Sequence, residues 1–126
     1  MAAIYEDAHL LAAATAVTNL GNRIGLFATN TKVGGAGVAV ADTTWAAATK
    51  VNDGGVDYGQ REGSTVTITI PPGTVANGTT INRYGIFNGT TLLRKVDLPI
   101  SLVVNDGSQE VKMDVKPIYR YRPADS

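Results

Sequence analysis

Arg23-Ile24-Gly25-Leu26-Phe27 returns sixty residues later as Arg83-Tyr84-Gly85-Ile86-Phe87, and in both copies a glycine stands where a strand normally places a packing side chain. Side chains alternate between the two faces of an extended chain, so Gly25 shares a face with Phe27, and Gly85 with Phe87. An interior glycine weakens a strand unless something packs over its bare backbone, and an aromatic ring or a partner strand is the usual cover. The repeat therefore predicts two notched strands in a β core, with Gly25, Phe27, Gly85 and Phe87 in structural roles.

Working outward, Thr65-Val66-Thr67-Ile68-Thr69-Ile70 alternates without a fault, which puts Val66, Ile68 and Ile70 inward until Pro71-Pro72-Gly73 stops the strand. Asn77-Gly78 predicts a tight turn before a strand over 80–87. Asn88-Gly89 then predicts a hairpin into residues 91–98, because both central positions of that turn need positive φ. Residues 100–104, the turn Asn105-Asp106-Gly107 and residues 110–115 read as one more hairpin. Upstream, 38–41 reads as a short strand and the Gly-rich stretch 32–37 as a flexible connection. Residues 42–63 read as a long loop with a brief extended segment around 56–60, its main turn signal being Asn52-Asp53-Gly54-Gly55. The one helical pattern spans 6–20, with Leu10, Leu11, Ala14, Val17 and Thr18 near helical spacing, acidic residues at its start and Gly21 just past its end. The fold class is mainly β: an antiparallel β-sandwich or barrel-like domain with one short N-terminal helix, over residues 1–116. Residues 117–126 form a C-terminal tail, equally readable as a final edge strand or as a projecting arm that pairs with a neighbour.

A chain of 126 residues suffices for one core without metals or disulfides, and the absence of cysteine removes disulfides, thiolate zinc sites and thiol nucleophiles. Eleven basic residues balance eleven acidic ones, so no overall field draws the chain to nucleic acid or to an anionic membrane. The apolar run 8–17 is too short to span a bilayer and follows Glu6 and Asp7, the wrong charge for a secretory leader. A soluble protein made in a cytoplasm without export is expected.

Catalytic groups are scarce. His9 is the lone histidine, read as a surface or helix-packing residue, and no serine lies in a nucleophile elbow. Asp53, Asp57 and Glu62 stand close together in a Gly-rich segment, but their spacing matches no EF-hand loop, and turn formation is the plainer reading. Gly34-Gly35-Ala36-Gly37 lacks the lysine and hydroxyl of a phosphate loop. Trp45, Tyr58, Tyr84, Tyr119 and Tyr121 offer aromatic faces for sugar stacking, scattered along the chain. The expectation is a non-enzymatic protein with no cofactor and no metal. The tail Pro117-Ile118-Tyr119-Arg120-Tyr121-Arg122-Pro123 alternates aromatic residues with arginines, types that favour interface centres.

The order of motifs resembles a family of small tailed-bacteriophage virion proteins, described as minor tail, tail-fibre-like or capsid decoration proteins. The matching elements are 24–27, Trp45-Ala46-Ala47-Ala48, 68–71, 84–87 and Leu92-Leu93, so the resemblance covers most of residues 23–115. The tight Asn88-Gly89 turn replaces a longer loop common in that family, and the basic aromatic tail over 116–122 is this chain's own. The resemblance implies a structural component of the particle, assembled in the host cytoplasm. Its expected role is capsid decoration or cement, bound to the major capsid protein or other virion proteins. A homo-oligomer is expected, with a trimer suited to a three-fold lattice position. The rival expectation is a tail- or fibre-associated module that recognises host glycans through Trp45 or Tyr58. The expected contacts are the N-terminal residues 1–5, with Ile4 and Tyr5 foremost, and the tail residues Tyr119, Arg120, Tyr121 and Arg122.

Overall fold

A computed structural model describes residues 4–123. Among the described residues strands take 52% and helix 10%, the sheets are antiparallel, and no closed barrel forms, so the fold is mainly β with one helix near the N-terminus. The elements begin with α1 (Asp7–Thr18), β1 (Arg23–Ala28), β2 (Thr31–Lys32), β3 (Val40–Asp42), β4 (Thr49–Asp53) and β5 (Val56–Glu62). They continue with β6 (Val66–Ile70), β7 (Thr79–Asn88), β8 (Thr91–Val104), β9 (Val111–Val115) and β10 (Ile118–Tyr121). They fall into two compact units, one of residues 21–43 and 65–115, the other, among the described residues, of 4–20, 44–64 and 116–123.

The first unit is built on the repeat. β1 and β7 run antiparallel with Gly25 directly opposite Gly85, Arg23 opposite Phe87 and Phe27 opposite Arg83. Each phenylalanine covers the other strand's glycine: a Cβ on Gly85 would lie 2.5 Å from Phe27 Cε1, and one on Gly25 would lie 2.9 Å from Phe87 Cε1. The rings lie nearly parallel, with centroids 6.0 Å apart, and are only 4% and 6% exposed, so the two notches and the two rings form one closed packing device. The opposite face of the pair presents Ile24, Leu26, Tyr84 and Ile86 to the core. A register shift between Ile81 and Arg83 lets Ile81 join that face although simple alternation would turn it outward. Val66, Ile68 and Ile70 of β6 complete the core together with β9, whose Val115 is buried.

Two expectations about this unit are corrected. Residues 100–104 do not open a new hairpin: β8 runs on to Val104 and pairs with β7 through Thr79 opposite Val104. Pro99 is accommodated because the ladder is irregular between Asp97 and Leu102, where a missing N–H breaks no bond. β9 pairs instead with β6, matching Val66, Ile68 and Ile70 with Val115, Met113 and Val111, two alternating strands with apolar faces in register. The turn that carries the chain from one sheet to the other is fixed by Gly107, whose N–H donates to Asn77 Oδ1 at 2.7 Å. A side chain on Gly107 would collide with the Val75 carbonyl oxygen.

The Gly-rich stretch 32–37 is organised around one ammonium. Lys32 Nζ donates to the carbonyls of Val33, Gly35 and Val38 at 3.0, 3.0 and 2.8 Å, so its three protons each meet an oxygen. Burial holds its pKa below the ordinary lysine value. Lys32→Met removes the ammonium from all three carbonyls, leaving Gly35 O its Val38 N–H, and is expected to destabilise the unit by about 1–3 kcal/mol in urea unfolding. Hydrogen exchange at the Val38 amide, which donates to Gly35 O, should accelerate with it.

In the second unit the expected long loop over 42–63 is corrected to an ordered hairpin. β4 and β5 pair from Thr49 opposite Gln60 to Asp53 opposite Val56, around Gly54 and Gly55 at φ 61° and 83°. Two successive positive φ angles make the tight turn that matches strand twist, so the glycines that suggested a loop are the hairpin's own turn. β10 adds to the other side of β5, giving the order β10-β5-β4. Thus the segment 118–121 is a terminal strand of this sheet.

α1 packs on these strands through Leu10, Ala14 and Thr18, one residue per turn, all buried. It comes so close that a Cβ on Gly59 would strike the Leu10 carbonyl oxygen. The last turn of α1 has no basic residue of its own, and Arg61 supplies the charge from β5. Its Nη1 donates to Asn19 Oδ1 at 2.6 Å and Thr18 Oγ1 at 2.9 Å, while its Nε donates to Ala46 O at 2.7 Å.

Candidate interaction surface of the terminal segments

The residues expected to make contacts lie in the second unit, on two elements that the sheet brings together. In β10 the side chains alternate: Tyr119 and Tyr121 stand opposite Arg61 and Gly59, on the face that α1 covers, whereas Ile118 and Arg120 stand on the other face. Alternation thus divides the tail tyrosines from Arg120.

On the α1 side the segment from Tyr5 to His9 meets Tyr121 of β10. The Tyr5 ring lies 4.9 Å from the His9 ring, and His9 lies 6.1 Å from Tyr121, a run of three tilted rings within aromatic packing range. His9, which drew no functional reading from the sequence, is the link between the two terminal segments; its spacing four residues after Tyr5 was the available signal. Beside this run is a groove of about 230 Å³, with Tyr5, Leu10, Val56 and Pro123 as its apolar wall and Asp57 and Arg122 as its polar members. Ile4, the residue before Tyr5, has 90% of its surface exposed, the barest large apolar side chain among the described residues. Of the expected N-terminal contacts, Met1, Ala2 and Ala3 lie outside the described residues.

The other face carries a connected polar row. Arg120 Nε donates to Gln60 Oε1 at 2.7 Å, its Nη1 pairs with Asp53 Oδ2 at 2.9 Å, and its guanidinium lies 5.5 Å above the Tyr58 ring. Gln60 donates to Glu62, which pairs with Lys116 at 3.2 Å. Arg120 thus has partners on its own sheet while its side chain stays 41% exposed. The row also separates the three carboxylates considered for calcium: Asp53 pairs with Arg120, Glu62 with Lys116, and Asp57, across the sheet, accepts from Asn52 Nδ2 at 2.8 Å. Among the described residues no three metal-ligating side chains converge.

Trp45 and Tyr58 do not form a joint stacking platform. Trp45 bridges Gly63, whereas Tyr58 pairs with Val51 at the other end of the hairpin, roughly 16 Å away along the strand. No helix among the described residues is long and apolar enough to cross a membrane. No family model, curated protein or solved structure matches the chain.

Proposed function

We propose that the chain is a structural component of a bacteriophage particle, a capsid decoration or cement protein that binds the major capsid lattice through the surface its two terminal segments share. The observation that carries this reading is the Tyr5-His9-Tyr121 run with its groove, preceded in the chain by the bare Ile4. An aromatic wall, an arginine and an exposed aliphatic side chain at one place have the composition of an interface anchor. The ordered motifs from Ile24 to Leu93 support the same reading through their resemblance to phage virion proteins. Repetition over a symmetric shell would turn modest single contacts into large avidity.

Because residues 118–121 are a strand of the sheet, point substitutions test the proposal better than deletion of the tail. Ile4→Asp and Arg122→Ala, mixed with capsids lacking the protein, are expected to lower occupancy about tenfold at fixed concentration, as for loss of an interface anchor. Circular dichroism should show the fold retained. Undiminished occupancy would remove this surface from the interface. Loss of cell adsorption by Trp45→Ala, with assembly intact, would favour a tail-associated glycan module instead.

A further inference from the structure

The outward face of the β1–β7 pair holds an excess of positive charge on a chain whose charges balance overall. Arg23 and Arg83 occupy equivalent places about the Gly25–Gly85 pair, and each meets an aspartate on its neighbouring strand. Arg23 Nε lies 3.3 Å from Asp42 Oδ1, and Arg83 Nε lies 2.7 Å from Asp97 Oδ1, while Arg83 Nη1 donates to Thr29 O at 3.3 Å and Asn30 Oδ1 at 3.2 Å. Lys32, opposite Phe27, and Lys95, opposite Gly85, share the face but meet neutral groups: Lys32 its three carbonyls, Lys95 the Asn30 Oδ1 at 2.8 Å and the Phe27 ring at 5.6 Å. Four cations thus face two carboxylates.

Beside Arg23 and Lys32 lies a cleft of about 90 Å³, walled by Val40 and Phe87 and closed by Gly89 and Thr90 of the hairpin turn. It has room for roughly three waters at ~30 Å³ each, a volume suited to one carboxylate. Arg23 reaches Asp42 through Nε alone, so among the described residues its Nη1 and Nη2 protons have no acceptor. The second cationic end, Arg83 with Lys95, lies four residues along β1 from Arg23, roughly 13 Å. That spacing fits acidic side chains on one extended segment, whereas a single small anion would occupy one end only.

We propose that this face docks an extended acidic segment of a partner protein, one carboxylate entering the cleft against Arg23 and another meeting Arg83 and Lys95. The site belongs to the first unit and does not depend on the terminal surface or on residence in a virion.

The test is fluorescence anisotropy of a fluorescein-labelled deca-glutamate peptide with the full chain at low salt. Saturable binding is expected, weakened by added salt. Arg23→Gln should weaken it about tenfold, as for loss of a charged hydrogen bond. Asp42→Asn should strengthen it, which keeps the test decisive should Arg23→Gln fold poorly. Lys112→Gln, on β9 outside this face, should leave it unchanged. Equal losses for Arg23→Gln and Lys112→Gln would overturn the proposal, as would no gain for Asp42→Asn. Full displacement by millimolar inorganic phosphate would make the cleft a free-oxyanion site instead, and tighter binding of a single-stranded DNA decamer would make the face a nucleic-acid surface; either overturns it.

Discussion

Gly59→Ala is expected to destabilise the protein by roughly 3 kcal/mol, at the upper end for overpacking, and to release α1 from its sheet. The cause is backbone against backbone. The added methyl would fall on the carbonyl group of Leu10, with Leu10 Cα only 3.3 Å away, and no rotamer change can clear an obstacle made of main chain. The helix must lift, and Leu10, Ala14 and Thr18, all buried beneath it, lose contact together. Urea unfolding measures the loss, and α1 amides should exchange at rates near those of a detached helix. Gly54→Asn is the control: its φ of 61° suits asparagine and nothing lies within 4 Å, so little change is expected. If Gly59→Ala were as mild as Gly54→Asn, the close helix-on-sheet contact would be wrong.

The second large effect is a coupling. Phe27→Ala should cost about 3–5 kcal/mol, because the ring is almost fully buried. Gly85→Ala alone should cost about 1–3 kcal/mol, since its methyl would meet that ring at 2.5 Å. In the double variant the methyl enters the space the ring has left. The combined cost should therefore fall short of the sum by roughly 1–2 kcal/mol. The mirror pair, Gly25→Ala with Phe87→Ala, should show the same sign with a smaller coupling, because the gap there is 2.9 Å. Additive costs in both cycles would mean that the rings do not cover the glycines.

What could be read from the chain was what one strand states about itself. The repeated pentapeptide named its four packing residues, and 65–70 showed its inward face, because local alternation carries both facts. Partner choice was less legible. Residues 100–104 and 110–115, split by Asn105-Asp106-Gly107, look like any hairpin; that they join different partners depends on Asn77 and Val75, thirty residues upstream. The hairpin β4–β5 was hidden for another reason. Its strands are mostly polar and one of its key positions is a glycine, so the order comes from α1 lying on Gly59 rather than from an apolar stripe. At the candidate surface, the terminal residues were picked by type, but their convergence through His9 needed the sheet to place β10 beside α1. Arg120 stands on the opposite face, beside Asp53 and Gln60, because alternation along β10 turns it away from the tyrosines.

The proposed place on a capsid is tested most directly by locating the protein on intact virions produced from the genome that encodes it, using antibody-bound gold and electron microscopy. Label spread regularly over the head is the expected result. Label confined to the tail, or absent from purified particles, would contradict it.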